Sequence, residues 1–148
     1  MKQMMMMMLI ALPIANAFAG SDRDATPVGV WTAFNGNDGS LRALIEIRES
    51  KGILSGKIIK PYPLPGEAMT CEMCTGNLKG APIQNFPIMA NVKRDGDCWD
   101  GGQIIDPNTG DIYSVRLTLI ENGSKLLVRG FLGFSLFGKS QVWVRKVD

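Results

Sequence analysis

With 148 residues, 16 basic against 14 acidic side chains and no histidine, this chain is long enough for one domain with a proper core. It is too evenly charged to be drawn to nucleic acid or an anionic membrane. The missing histidine removes the general base of the serine and cysteine hydrolase triads and the usual nitrogen ligand of a zinc site.

The chain opens MKQMMMMMLIALPIANAFAG, with one charge at Lys2, an apolar run from Met4 to Ile14, then Ala17-Phe18-Ala19. That is the layout of a secretory signal peptide, and the run is shorter than the about 20 apolar residues of a membrane span. Cleavage is expected after Ala19, with Ala15-Asn16-Ala17 as a second site. Residues 20–148 then form a single domain, periplasmic or secreted, in which loss of Lys2 leaves 16 − 1 = 15 basic against 14 acidic side chains. No second apolar span follows, so the product is not expected to be an integral membrane protein.

Beyond the leader, apolar residues recur with period two, the period of strands. GVWTAF (29–34) is the first. In SLRALIEIRES, Leu41, Ala43, Ile45 and Ile47 alternate with Arg42, Leu44, Glu46 and Arg48, and Lys51-Gly52 turns the chain into ILSGKIIK (53–60). NFPIMANVK (85–93) and CWDGGQII (98–105) follow. IYSVRLTLIE (112–121) puts Val115, Leu117 and Leu119 on one face, and Asn122-Gly123, which tolerates positive φ at both residues, signals a hairpin. SKLLVRGFL and SQVWVRKV complete about eight strands, with no amphipathic helix of ten residues among them. An all-β, small antiparallel up-and-down barrel is expected, because closure removes exposed edges; a two-sheet β-sandwich is the alternative.

Residues 61–84, PYPLPGEAMTCEMCTGNLKGAPIQ, interrupt the meander with four prolines and three glycines. A connection this long is usually functional or pinned down, and it holds Cys71 and Cys74. A zinc set would need Cys98 and a carboxylate such as Asp97 or Asp100 as well. A thioredoxin-type pair would want its first cysteine at a helix N-terminus in an α/β setting. In an oxidising compartment a disulfide accounts for the pair most simply. Bridging Cys71 to Cys74 would contribute about 2 kcal/mol and closing about 28 residues to Cys98 about 3.5 kcal/mol. The expected pair is Cys71 with Cys74, leaving Cys98 free and largely buried beside Trp99; a bridge from either to Cys98 stays open. No metal site and no cofactor are expected.

DPNTGD (106–111) lacks the glycine and glutamate of an EF-hand loop, so Asp106 and Gly110 are read as parts of a structural turn. RGFLGFSLFGKSQVW (129–143) interleaves Phe131, Phe134, Leu136 and Phe137 with glycines. It is either a tight aromatic corner or one wall of a pocket, in which case Phe131, Phe134, Phe137 and Trp143 are the candidate ligand-binding residues.

Several motifs in fixed order, Gly29-Val30-Trp31, Cys71-x-x-Cys74-x-Gly76, Trp99-x-Gly101-Gly102, Ile105-Asp106-Pro107, Gly110-x-x-Tyr113, Val128-Arg129-Gly130, Ser135-Leu136-Phe137-Gly138 and Gln141-x-Trp143-x-Arg145, resemble the bacterial domain of unknown function 2147 family. The resemblance implies a small exported protein and leaves its activity open. A second, fold-level resemblance is to lipocalin-like (calycin) barrels, which carry Gly-x-Trp on the first strand and an arginine at the last. It implies that Trp31 and Arg145 meet and close one end of the barrel, with ligand entry at the other.

The expected function is non-catalytic binding of a small apolar ligand, a lipid or acyl chain, in the cell envelope. An envelope protein-protein interaction module is the alternative. A thiol redox factor using Cys71 and Cys74 ranks third.

Overall fold

The apolar and polar positions of the strands separate cleanly: Ala43, Ile45 and Ile47 are buried in one strand, Val115 and Leu117 in another, while Arg48 and Arg116 between or beside them are exposed. A computed structural model describes residues 25–133 and 138–148. In it the strands are β1 (Gly29–Phe34), β2 (Leu41–Ser50), β3 (Ile53–Pro61), β4 (Met89–Asp95), β5 (Cys98–Ile105), β6 (Ile112–Ile120), β7 (Lys125–Phe131) and β8 (Gly138–Arg145). Each pairs antiparallel with its sequence neighbour, and β8 returns to β1 through Trp31 opposite Arg145 and Thr32 opposite Val144, which closes the barrel. The sandwich alternative is therefore set aside. The expected leader, residues 1–19, and Phe134 and Phe137 lie outside the described residues.

One local expectation needs correction. The run from Asn85 to Ile88 is not strand: Asn85 takes φ 61°, its amide donates to the Ile58 carbonyl and Ile58 donates back to Phe86, so this stretch tacks the long loop onto β3 instead. The Asn122-Gly123 hairpin forms as expected, through a four-residue loop, since Ile120 pairs with Lys125 and Glu121 joins Asn122 and Gly123 at positive φ. By contrast, Lys51 and Gly52 form the expected two-residue turn, at φ 52° and 77°, between paired Ser50 and Ile53.

An up-and-down barrel sends successive connections to opposite ends. The short hairpins 50–53, 95–98 and 120–125 lie at one end with the start of β1 and the finish of β8. The longer connections, 35–40, 62–88 and 106–111, gather at the other. The interior is filled toward the first end by Trp31, Ile47, Leu54, Val92, Leu117 and Leu126, all at most 1% exposed. The outward face carries Arg48, Lys57, Lys93 and Arg116, charges that a lipid-facing wall would not hold. No helix among the described residues is long and apolar enough to cross a membrane.

Candidate functional site

The first end is sealed. The Arg145 guanidinium lies 4.3 Å above the Trp31 ring, and its three nitrogens donate to the carbonyls of Gly123 (2.9 Å), Val28 (2.9 Å) and Thr26 (2.8 Å). The Trp31 indole donates to the Pro27 carbonyl at 2.8 Å. One planar cation thus ties the β6–β7 hairpin, the incoming chain and β8 together over an aromatic face.

At the other end is a cavity of about 510 Å³, within the range of small-molecule sites. Its deep wall is apolar, with Ile45, Ile58, Val128 and the 1%-exposed Trp143. Its mouth is polar: Arg42, Tyr62, Glu67, Asp106, Tyr113 and Lys139 border it. Burial, then the nearby Asp111 carboxylate, push the Tyr113 phenol up, so it stays neutral at physiological pH.

The long loop between β3 and β4 covers part of this end and is firmly held. Cys71 and Cys74 form a disulfide with their Cα atoms 5.4 Å apart, and both are buried with Ile83, Phe86 and Ile88 in the main core. The Cys71 amide donates to Ala81 O and the Gly80 amide to Cys71 O, each at 2.8 Å, around a single 3₁₀ turn, Gly76–Leu78. Gly110, at φ 76°, brings the β5–β6 turn against this loop so closely that a Cβ there would sit 2.2 Å from the Met73 carbonyl oxygen. Asp106 supports the same turn by accepting the Asn108 amide on Oδ1 at 2.9 Å. Replacing both cysteines by alanine is expected to lower stability by about 2 kcal/mol, read as a lower urea midpoint together with faster amide exchange in residues 70–83. An unchanged midpoint would mean that packing alone holds the loop.

A second tie is ionic. Arg42 on β2 donates to both Glu67 carboxylate oxygens at 2.9 Å, and the Leu64 amide donates to Oε2 at 2.8 Å. Partial burial pushes the Glu67 carboxyl up, but the Leu64 amide and the Arg42 guanidinium outweigh it and hold it below the usual carboxylate range. Stability from this contact is therefore complete above the ordinary carboxylate pKa and lost as pH falls through the lower folded value. Glu67→Gln should melt below the wild type at pH 7 by an amount worth at most about 1 kcal/mol, since both side chains are partly solvated. Melting curves should converge once pH has fallen through that lower folded value; a gap that persists in acid would show the contact is not the carboxylate's.

Of the residues expected to bind a ligand, Trp143 lines the cavity floor. Phe131 does not line it: Val128 and Gly130 face inward on β7, so alternation turns Phe131 to the outer face, where it is half-buried. Phe134 and Phe137 lie outside the described residues. Cys98 is free, as expected, but only half-buried. It begins β5 at the sealed end, across the barrel from Cys71 and Cys74, and burial followed by the Asp100 charge pushes its thiol up. Arg42, Glu67 and Lys139 were not anticipated at the site. The signal for Lys139 was present, since it shares the parity of Gln141 and Trp143.

A family model described as "uncharacterized protein conserved in bacteria (DUF2147)" matches residues 29–145. Among solved structures, HP1028 from Helicobacter pylori, described as belonging to the lipocalin family, superposes with a TM-score of 0.71 at 16% identity, covering 84% of this chain and 85% of that one. At that identity the likeness is one of fold. No curated protein matches the chain.

Proposed function

The chain belongs to the DUF2147 family of bacterial proteins, and from that premise and its lipocalin-like barrel we propose that it is a non-catalytic binder of a small, largely apolar ligand. It acts in the cell envelope, after removal of residues 1–19. The observation that carries the reading is the roughly 510 Å³ cavity at the end opposite the Trp31 and Arg145 seal, with Trp143 on its floor. Burying apolar surface there is worth about 25 cal/mol per Å², which favours a ligand with an apolar body. The two loop ties keep the mouth preformed, so little ordering cost is incurred on binding.

The test is to purify the protein from the envelope fraction of its native host, denature it in organic solvent and identify released small molecules by mass spectrometry. The expected result is a near-stoichiometric apolar compound on a chain that begins at Gly20. An empty extract, together with no calorimetric response to single-chain amphiphiles, would reject the reading. Recovery of the chain from the cytosol with its leader intact would reject the location.

A further inference from the structure

Lys139, Gln141 and Trp143 occupy alternate positions of β8, and all three line the cavity. They run from mouth to floor: Lys139 and Gln141 meet water, whereas Trp143 is buried. In register on β7, Lys139 faces Gly130, which contributes no side chain to the inner wall there, and Gln141 faces Val128. The other charges of the mouth are already engaged. Arg42 and Glu67 neutralise one another, whereas Asp106 keeps its negative charge while its Oδ1 accepts the Asn108 amide of its own turn, so among the described residues Lys139 is the cation left to meet an anionic head. Among the described residues no ion pair or hydrogen bond engages the Lys139 ammonium.

We propose that the ligand is an amphiphile with an anionic head, carboxylate or phosphate, which pairs with Lys139 at the mouth while its apolar part lies against Trp143, Val128, Ile45 and Ile58. This rests on the ligand-binding reading and gives it a chemical class. The polarity gradient sets the orientation. An anion carried to the apolar floor would lose its hydration without a partner. At the mouth it keeps water and gains an ammonium. A cationic head meets the like charge of Lys139 instead, and a neutral alcohol gains only the burial of its chain.

The experiment is calorimetric titration of the folded mature chain with dodecanoate, dodecyl phosphate, dodecanol and dodecyltrimethylammonium. Either or both anions should bind about fivefold more tightly than dodecanol, the advantage expected of a partly solvated ion pair, and the ammonium amphiphile more weakly still. Their ratio tells carboxylate from phosphate recognition. Lys139→Met should abolish the anionic advantage, so that the anions bind that variant no more tightly than dodecanol does, and Lys139→Arg should retain the advantage. Dodecanol binding as tightly as both anions, or Lys139→Met binding the preferred anion like the wild type, overturns the headgroup assignment while leaving the cavity reading intact. Failure of the wild type to bind any of the four overturns both.

Discussion

Gly102→Ala is expected to destabilise the barrel by about 3 kcal/mol, at the upper end of what overpacking costs, and to lower the melting temperature by roughly 10 °C for a domain of this size. A Cβ at Gly102 would stand 2.2 Å from the Ala90 carbonyl oxygen and 2.7 Å from the Val92 amide nitrogen. Both are backbone atoms of β4, so relief cannot come from a rotamer change. It requires β4 and β5 to part, and they form the barrel wall beside buried Val92 and Trp99. Gly36→Ala is the matched control, because nothing lies within 4 Å of a Cβ there. Equal melting temperatures for the two variants would show that the β4–β5 contact relaxes without loss.

Arg145→Ala should cost about 3 kcal/mol as well, through a different mechanism. It leaves the Gly123, Val28 and Thr26 carbonyls without the donors that satisfy them and removes a cation from the face of a fully buried indole. Arg145→Lys keeps the charge but has no planar fork to reach three separated carbonyls, so it should recover less than half of the loss in urea denaturation. Full recovery by lysine would mean that charge over Trp31 matters and the fork does not. Ligand affinity at the far end should be unchanged in the lysine variant, since the seal and the cavity occupy opposite ends.

Much of the wall was legible because strand signals are local. Period two in LRALIEIRES and IYSVRLTLI, together with turn residues that accept positive φ at Lys51-Gly52 and Asn122-Gly123, marks strands and hairpins without knowledge of their neighbours. The misread stretch, Asn85 to Ile88, carries an apolar pattern that serves loop anchoring: Phe86 and Ile88 are buried under the long connection rather than along a strand. Alternation was also enough to place Phe131 outward once Val128 was known to face inward. What it lacked was the absolute parity of β7, which only packing supplies.

The sequence by itself determined the strand count, the meander order, the expectation of a disulfide in the long loop and the family of the chain, since each follows from short-range periodicity, turn chemistry or motifs in fixed order. Apart from Trp31 and Arg145, which the lipocalin-like resemblance already brought together, tertiary structure alone decided which residues share an end of the barrel. Cys71 and Cys74 are kept from Cys98 because β4 runs the length of the wall between them. Arg42 and Glu67, 25 residues apart, meet across the mouth. Lys139 becomes a cavity residue only when closure turns one face of β8 inward. These placements depend on contacts between distant segments, and no local pattern encodes which distant segment will be there.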